Sequence, residues 1–394
     1  MLIQIVGALA IGIIAGTFTG LIPGIHINLI GALLLSITAS LLITINPIYL
    51  ATFITAMAIA HTFIDFIPSI FLGCPDTDTE LSVLPGHKLL KKGLGYQAIV
   101  LTTYGSFAAI FILLIITLPS IFILEKTYDI ILKFIPYILL FFSLLLVFLE
   151  RKKFTALFVF LLTGFLGYSV FNLGATEPLL PLLSGLFGSS MLITSITQKT
   201  KIPEQKIIKP ETKLLKPLAG AIIASPICSF LPGMGSGQAA IIGNIIAKTN
   251  NKGFLVLLGA TNTLVMGFSF ISLYIISKTR TGAAVALQEI LHTLSGKILI
   301  LILIIILITG IISFFLTIFL AEFFSQKIHK LNYALLSTLT LGFLILIILA
   351  ISKPLGLIIF GASTLTGIYC ISLKVRRTQM MGCLLIPTIL FYLL

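Results

Sequence analysis

Charge is what this chain has least of: 9% of its 394 residues are Asp, Glu, Lys or Arg, and none stands before Asp65. Soluble domains carry roughly 25%, so a soluble monomer is excluded. Tryptophan is absent, and the four cysteines (Cys74, Cys228, Cys370, Cys383) have neither the spacing of a disulfide framework nor that of a metal site. They read as packing residues. No nucleophile, base and orienting group fall into a recognisable arrangement. The Gly-rich stretch Gly233-Met234-Gly235-Ser236-Gly237 lacks the Lys of a phosphate-binding loop. The chain is therefore not read as an enzyme or as an ATP-driven pump. A basic N-terminal region is missing too, so Met1 to Thr44 is taken as mature structure and not as a cleaved leader.

Hydrophobic residues fill the space, at 58%. Uncharged runs cover Gly93–Leu124, Phe154–Thr176, Pro217–Ala247, Gly253–Ser277 and Ile298–Ala321. Each is long enough for a helix to cross a hydrocarbon core of about 30 Å, which takes about 20 residues. Helices are expected, because lipid offers no partner to free backbone groups and the alternation of barrel strands is absent. The spans read as 48–72, 96–122, 134–149, 154–171 and 179–197, then 253–277, 297–320, 333–352, 354–373 and 379–394. Two further apolar segments, 2–45 and 217–247, are each interrupted by Pro-Gly and read as helix–break–helix hairpins.

The net charge of +13 does not point to nucleic acid, since the Lys and Arg residues fall in short clusters between apolar runs. If both hairpins return to the side they entered from, 19 of the 25 basic residues lie on one side and 6 on the other. By the positive-inside rule the richer side is cytoplasmic. Each half then holds one hairpin and five spans, an odd number, so the halves are inverted. The expected fold class is all-α, a polytopic membrane protein of about ten transmembrane helices plus two Pro-Gly broken hairpins in two inverted-topology repeats. The first repeat is 1–198 (hairpin 2–45 plus five spans) and the second 217–394 (hairpin 217–247 plus five spans). Between them lies a charged cytoplasmic linker, 199–216, and the location expected is the cell membrane. Laying residues 10–28 on 219–237 matches six positions, including Pro23 with Pro232 and Gly24 with Gly233.

The Pro-Gly breaks carry the chemistry expected of the chain. Pro removes an amide hydrogen and Gly releases the backbone, so the helix breaks and leaves amides to face protein, water or a ligand. A helix N-terminus suits an anion, and paired interrupted helices in inverted halves point to a secondary transporter's substrate site. The candidate substrate residues are Pro23, Gly24, His26 and Asn28 from one hairpin and Pro232, Gly233, Gly235, Ser236, Gly237 and Gln238 from the other. Asn262 and Thr263, at a depth comparable with His61-Thr62, are candidates for a second wall, with helix packing as the alternative. His61 and Asp65, four residues apart on one helix face, are the candidate ion-coupling pair, the alternative being a solvated Asp65 at the interface. No metal site is read there, no cofactor is expected, and the coupling ion is H⁺ or Na⁺. The compact acidic stretch Asp76 to Glu80 fits a helix cap better than a cation loop. Lys278 and Arg280 fit interfacial anchoring or the attraction of an anion.

Three stretches resemble a known family: Gly16-Thr17-Phe18-Thr19-Gly20-Leu21-Ile22-Pro23-Gly24-Ile25-His26, the run from Pro68 through Gly73-Cys74-Pro75-Asp76 to Leu84-Pro85-Gly86-His87-Lys88, and Leu231-Pro232-Gly233-Met234-Gly235. They are similar to the large permease subunit of tripartite tricarboxylate transporters, TctA, in particular its shorter archaeal-type members. The resemblance implies an ion-gradient-driven permease for tri- or dicarboxylates, working with a small membrane subunit and an extracytoplasmic binding protein. His26 departs from the Gly usual there in bacterial members. The expected partners are the bilayer and a small organic anion, with a homodimer left open. A more distant likeness, through the Pro-Gly hairpins, is to carriers of polyprenyl phosphate, whose lipid-linked phosphate the same helix N-termini would hold.

Overall fold

The computed structural model describes residues 2–22, 31, 45–73, 79–197, 202–230, 235–279, 281–330 and 333–393, and every regular element among them is helical. In chain order these are α1 (Leu2–Leu21), α2 (Pro47–Ile64), α3 (Phe66–Phe71), α4 (Val83–Leu90), α5 (Gly95–Phe148), α6 (Lys153–Asn172), α7 (Leu179–Leu183) and α8 (Ser190–Thr197). There follow α9 (Leu215–Phe230), α10 (Ser236–Ala247), α11 (Asn251–Ile276), α12 (Gly282–Leu291), α13 (Gly296–Lys327), α14 (Tyr333–Ser372) and α15 (Gly382–Leu393). Among the described residues, seven helical stretches are long and apolar enough to cross a bilayer, with shorter apolar helices beside them. The chain is an all-α, multi-pass membrane protein.

The ten spans read from the sequence all fall on helix, and three details differ. α14 joins two of them across a kink at Lys353 (φ 58°, ψ −169°), where Pro354 has no amide to continue the ladder. α5 stays helical through the expected loop around Lys126, a segment free of Gly and Pro between Pro119 and Pro136. Its two apolar stretches nonetheless lie apart. Tyr128 sits under Lys278, at the end of α11, whereas Leu146 lines a small pocket together with Gln238 and Ile242 of α10, which leads into the start of α11. The third difference is α12, a ten-residue helix that was not expected; it packs on α2.

Two helices differ from all the others in their surroundings. In Pro47–Phe71 and in α11, 94% of the most apolar window is buried by protein, against 22–39% in the other five spans. They form the centre, and the others turn apolar side chains such as Phe111, Ile115, Phe165 and Phe315 outward. Both begin on an Asn cap: Asn46 accepts from the Ile48 amide at 2.9 Å and Asn250 from the Gly253 amide at 2.8 Å. The packing around them is reciprocal, α5 lying on α11 and α13 on α2. Residues 202–214 form no regular element yet are not simply solvated. Gln205, 7% exposed, accepts from the Gly95 amide at 2.8 Å and donates to the Leu90 carbonyl at 3.1 Å.

Glycine sets the closest approach. On α5 a Cβ at Gly105 would run into the Val256 carbonyl, and on α11 a Cβ at Gly259 would run into the Thr102 carbonyl. Ser106 uses that proximity to donate to the Gly259 carbonyl at 3.0 Å. Apolar attraction between helices is weak in lipid, so backbone contact of this kind supplies the packing energy. Gly7 of α1 has nothing within 4 Å. Gly105→Ala is therefore expected to lower thermal stability in detergent by about 1–3 kcal/mol through overpacking. Gly7→Ala should be neutral or slightly stabilising, as measured by fluorescence-detected unfolding.

Candidate functional site

Asp65 sits where α2 gives way to α3. Pro68, three residues on, offers no amide to the Ile64 carbonyl and its ring crowds that turn. The break is slight: the Asp65 amide still donates to the His61 carbonyl at 3.0 Å, and its own carbonyl accepts the Ser69 hydroxyl at 2.8 Å. The Ser69 oxygen lies 2.6 Å from the Thr79 hydroxyl. With the Ser69 hydrogen committed to Asp65, Thr79 donates, and the segment below is tied back to the hinge.

The Asp65 side chain is 4% exposed and His61 1%. No Lys or Arg among the described residues is buried. Across the interface, the Asn262 amide of α11 donates to Asp65 Oδ2 at 2.7 Å and reaches the Thr62 carbonyl at 3.4 Å. One residue on, the Thr263 hydroxyl lies 3.2 Å from that of Thr62. Thr62 donates to the Ile59 carbonyl at 2.9 Å, so Thr263 is the donor in this pair. His61 turns toward α1, its Nδ1 3.1 Å from the Thr19 hydroxyl, which also reaches the Gly16 carbonyl at 3.2 Å. When Thr19 donates to that carbonyl, Nδ1 carries the hydrogen and Nε2 is left as the acceptor. His61, Asp65, Asn262 and Thr263 thus form one polar cluster between the two central helices, with α1 joined through Thr19. Asp65 is enclosed by protein.

The candidates of the second hairpin stand on a neighbouring element. Gly235 is the extended N-cap of α10 (φ −112°, ψ −172°), and Ser236, Gly237 and Gln238 form its first turn, all three buried. Gln238 folds back so that its Oε1 accepts from the Gly235 amide at 2.7 Å, while its Nε2 is buried without a partner among the described residues. α10 packs on α11 and on α9, where Gly220 and Gly243 bring the two backbones together. Pro23, Gly24, His26 and Asn28 of the first hairpin, and Pro232 and Gly233 of the second, lie outside the described residues, as do Asp76, Asp78 and Arg280. Lys278 stacks over the Tyr128 ring at 5.8 Å, the geometry of an anchored cation.

The sequence reading passed over His87. It lies on α4, outside the spans, with its imidazole against Gly73, whose φ of +65° ends α3 and where a Cβ would collide with Nε2. Burial, then the charges of Lys91 and Arg377, hold its pKa down at about 4. Thr19 was passed over as well; its place four residues before Pro23 is the only sign the sequence offers.

The family model of the tripartite tricarboxylate transporter TctA family matches residues 6–382. A protein of Methanocaldococcus jannaschii described as the uncharacterized protein MJ1079 is 35% identical over 358 residues, covering 86% of this chain and 88% of its own length. No solved structure matches.

His87 gives a pH dependence whose sign is fixed. Its folded-state pKa lies below the ordinary 6.5, so the unfolded chain takes up the proton first as pH falls. The stability tied to the neutral imidazole is complete above about 6.5 and is lost progressively toward 4. In His87→Gln the melting temperature should fall less steeply across that window than in the wild type, as measured by unfolding scans in buffers from pH 4 to 7.

Proposed function

The chain belongs to the tripartite tricarboxylate transporter TctA family, and from that membership we propose that it is a secondary-active permease for a small organic anion of the tri- or dicarboxylate class. Its substrate binds beside the cluster of His61, Asp65, Asn262 and Thr263, between the two Pro-Gly breaks. The sequence leads one to expect free backbone amides at Pro23-Gly24 and at Pro232-Gly233, and these, with His26, Asn28, Gly235, Ser236, Gly237 and Gln238, are the proposed donors. The observation that carries this reading is the hydrogen bond from Asn262 to Asp65. It joins the two most enclosed helices through an ionisable residue, and ionisable residues at membrane depth usually serve a pathway.

Coupling follows from electrostatics. An anion and an ionised Asp65 repel strongly in a low-dielectric interior, so the anion binds well only when a proton or Na⁺ neutralises the carboxylate. Neither species crosses favourably alone. The transported unit is the pair: cation on Asp65, anion on the hairpin amides.

The same reading takes 1–198 and 217–394 as inverted repeats joined by a cytoplasmic linker, 199–216, in the cell membrane. The matching Asn caps of α2 and α11, and the reciprocal packing of α5 on α11 and α13 on α2, support it. The two largest apolar cores divide most of the helices between them. One surrounds α2, the first stretch of α5, α11 and α13; the other surrounds the second stretch of α5, α6, α14 and α15. The hairpin α9–α10 adds Ala221 and Ala240 to the first, and Ala224, Cys228, Ala239 and Ile242 to the second. Alternating access is the rocking or sliding of these two bodies about that hairpin. In line with the family, a small membrane subunit and an extracytoplasmic binding protein are the partners.

The test is uptake by proteoliposomes offered citrate, succinate, tartrate and phosphate in turn, under imposed proton and Na⁺ gradients. Saturable, gradient-dependent uptake of a carboxylate is expected, lost in Gly233→Leu protein that still inserts and folds. Silence with every soluble anion, from protein shown to be folded, would reject the carboxylate reading in favour of a lipid-linked phosphate.

A further inference from the structure

Along α13, Thr309, Ser313 and Thr317 recur at four-residue steps, and Ser325 continues the series after Ala321. Four-residue steps on a helix share one face. All four hydroxyl residues are fully buried, and none of the four oxygens has a hydrogen-bond partner among the described residues. That is unusual for this chain. Most buried hydroxyls on its other helices return their hydrogen to a carbonyl about one turn back, as Thr103 does to Ile99 at 2.8 Å, Thr117 to Leu113 at 2.7 Å, Thr163 to Val159 at 2.9 Å and Ser272 to Phe268 at 2.8 Å. No other described helix carries more than two unpartnered buried hydroxyls, and the two on α14, Ser337 and Ser363, lie in its separate arms.

The stripe has a defined course. Gly310, next to Thr309, packs on Ile110 of α5, and Ile305, one turn earlier, clusters with Ala56 and Ala60 of α2. The face therefore lies in the seam between α2 and α5, and its upper end comes in at the turn of α2 that leads into His61. From Thr309 to Ser325 the rise is about 24 Å, most of a hydrocarbon core. At the other end Glu322 is exposed, less than one turn from Ser325, and sets a carboxylate at the mouth.

A buried hydroxyl with no partner is costly, and water in a polar seam is its natural partner. We propose that this seam holds a file of water through which the coupling cation, a proton or Na⁺, passes between the membrane face at Glu322 and the Asp65 cluster. Hydroxyl groups suit both. They donate and accept in turn along a proton chain, and their oxygens are hard ligands for a small cation. An organic anion finds no positive group on this face. The role of Asp65 as destination rests on the permease reading; the hydration of the seam does not.

Two experiments separate them. In protein with Cys74, Cys228, Cys370 and Cys383 replaced, Ser313→Cys and Thr317→Cys should react with a small cationic methanethiosulfonate at least about tenfold faster than Ile306→Cys, a fully buried neighbour on the same helix. Equal, slow reaction at all three positions would overturn the proposal whatever the protein transports. The near-isosteric triple variant Thr309→Val/Ser313→Ala/Thr317→Val should keep the thermal shift given by the transported carboxylate. Its gradient-driven uptake should fall about tenfold or more. A loss under one imposed gradient alone identifies the cation. Undiminished uptake would show that the hydroxyls are interhelical packing only.

Discussion

A carboxylate enclosed by protein, within a helical stretch long and apolar enough to span a bilayer, is the constraint around which this molecule is arranged. Ionised Asp65 needs hydrogen-bond donors and a compensating charge, and lipid supplies neither. Its immediate donor comes from another helix nearly two hundred residues away, the Asn262 amide at 2.7 Å. Holding that bond requires α2 and α11 to cross at a fixed height, and both to be wrapped by the remaining helices so that lipid does not reach them. Their burial, 94% against 22–39% elsewhere, follows from that requirement.

The wrapping is achieved by backbone contact more than by interlocking side chains. Gly105 and Gly259 let α5 and α11 meet backbone to backbone, and Ser106 seals the contact with a hydrogen bond. On the opposite side, α1 brings Gly12 and Gly16 against the Phe53 and Met57 carbonyls of α2, which in turn places Thr19 within reach of His61. The packing glycines and the polar cluster are thus parts of one design: small residues set the height of each helix, and the height sets which polar groups meet. The linker is held in the same manner, since Gln205 caps the start of α5 and fixes where that helix enters the bundle.

Much of this was legible in the sequence, for reasons that differ from element to element. Spans were legible because a run without charge has one stable place. The boundary at Lys353 was legible as the gap between two spans, although the helix passes through it as a kink before Pro354. The level of Asn262-Thr263 with His61-Thr62 was legible because helix rise converts residue number directly into depth. What depth does not give is the side to which a residue points in the assembled bundle. For that reason Thr19 beside His61, His87 beneath Gly73 and the docking of Gln205 went unread. The helical continuation of α5 past Lys126 escaped for a different reason: charged residues there suggested a loop, although Glu, Lys, Tyr and Leu are tolerable helix formers. Pro23, Gly24, His26 and Asn28 carry much of the functional reading and lie outside the described residues.

The central claim is that a carboxylate at the crossing of α2 and α11 binds the coupling cation. Exchanging the two partners tests it most directly, because Asp65→Asn/Asn262→Asp moves the carboxylate across one hydrogen bond and leaves the composition unchanged. Gradient-driven uptake into proteoliposomes should be lost in Asp65→Asn and regained, in part, in the exchanged pair. Uptake by Asp65→Asn at the wild-type rate, under the same gradient, would contradict the account.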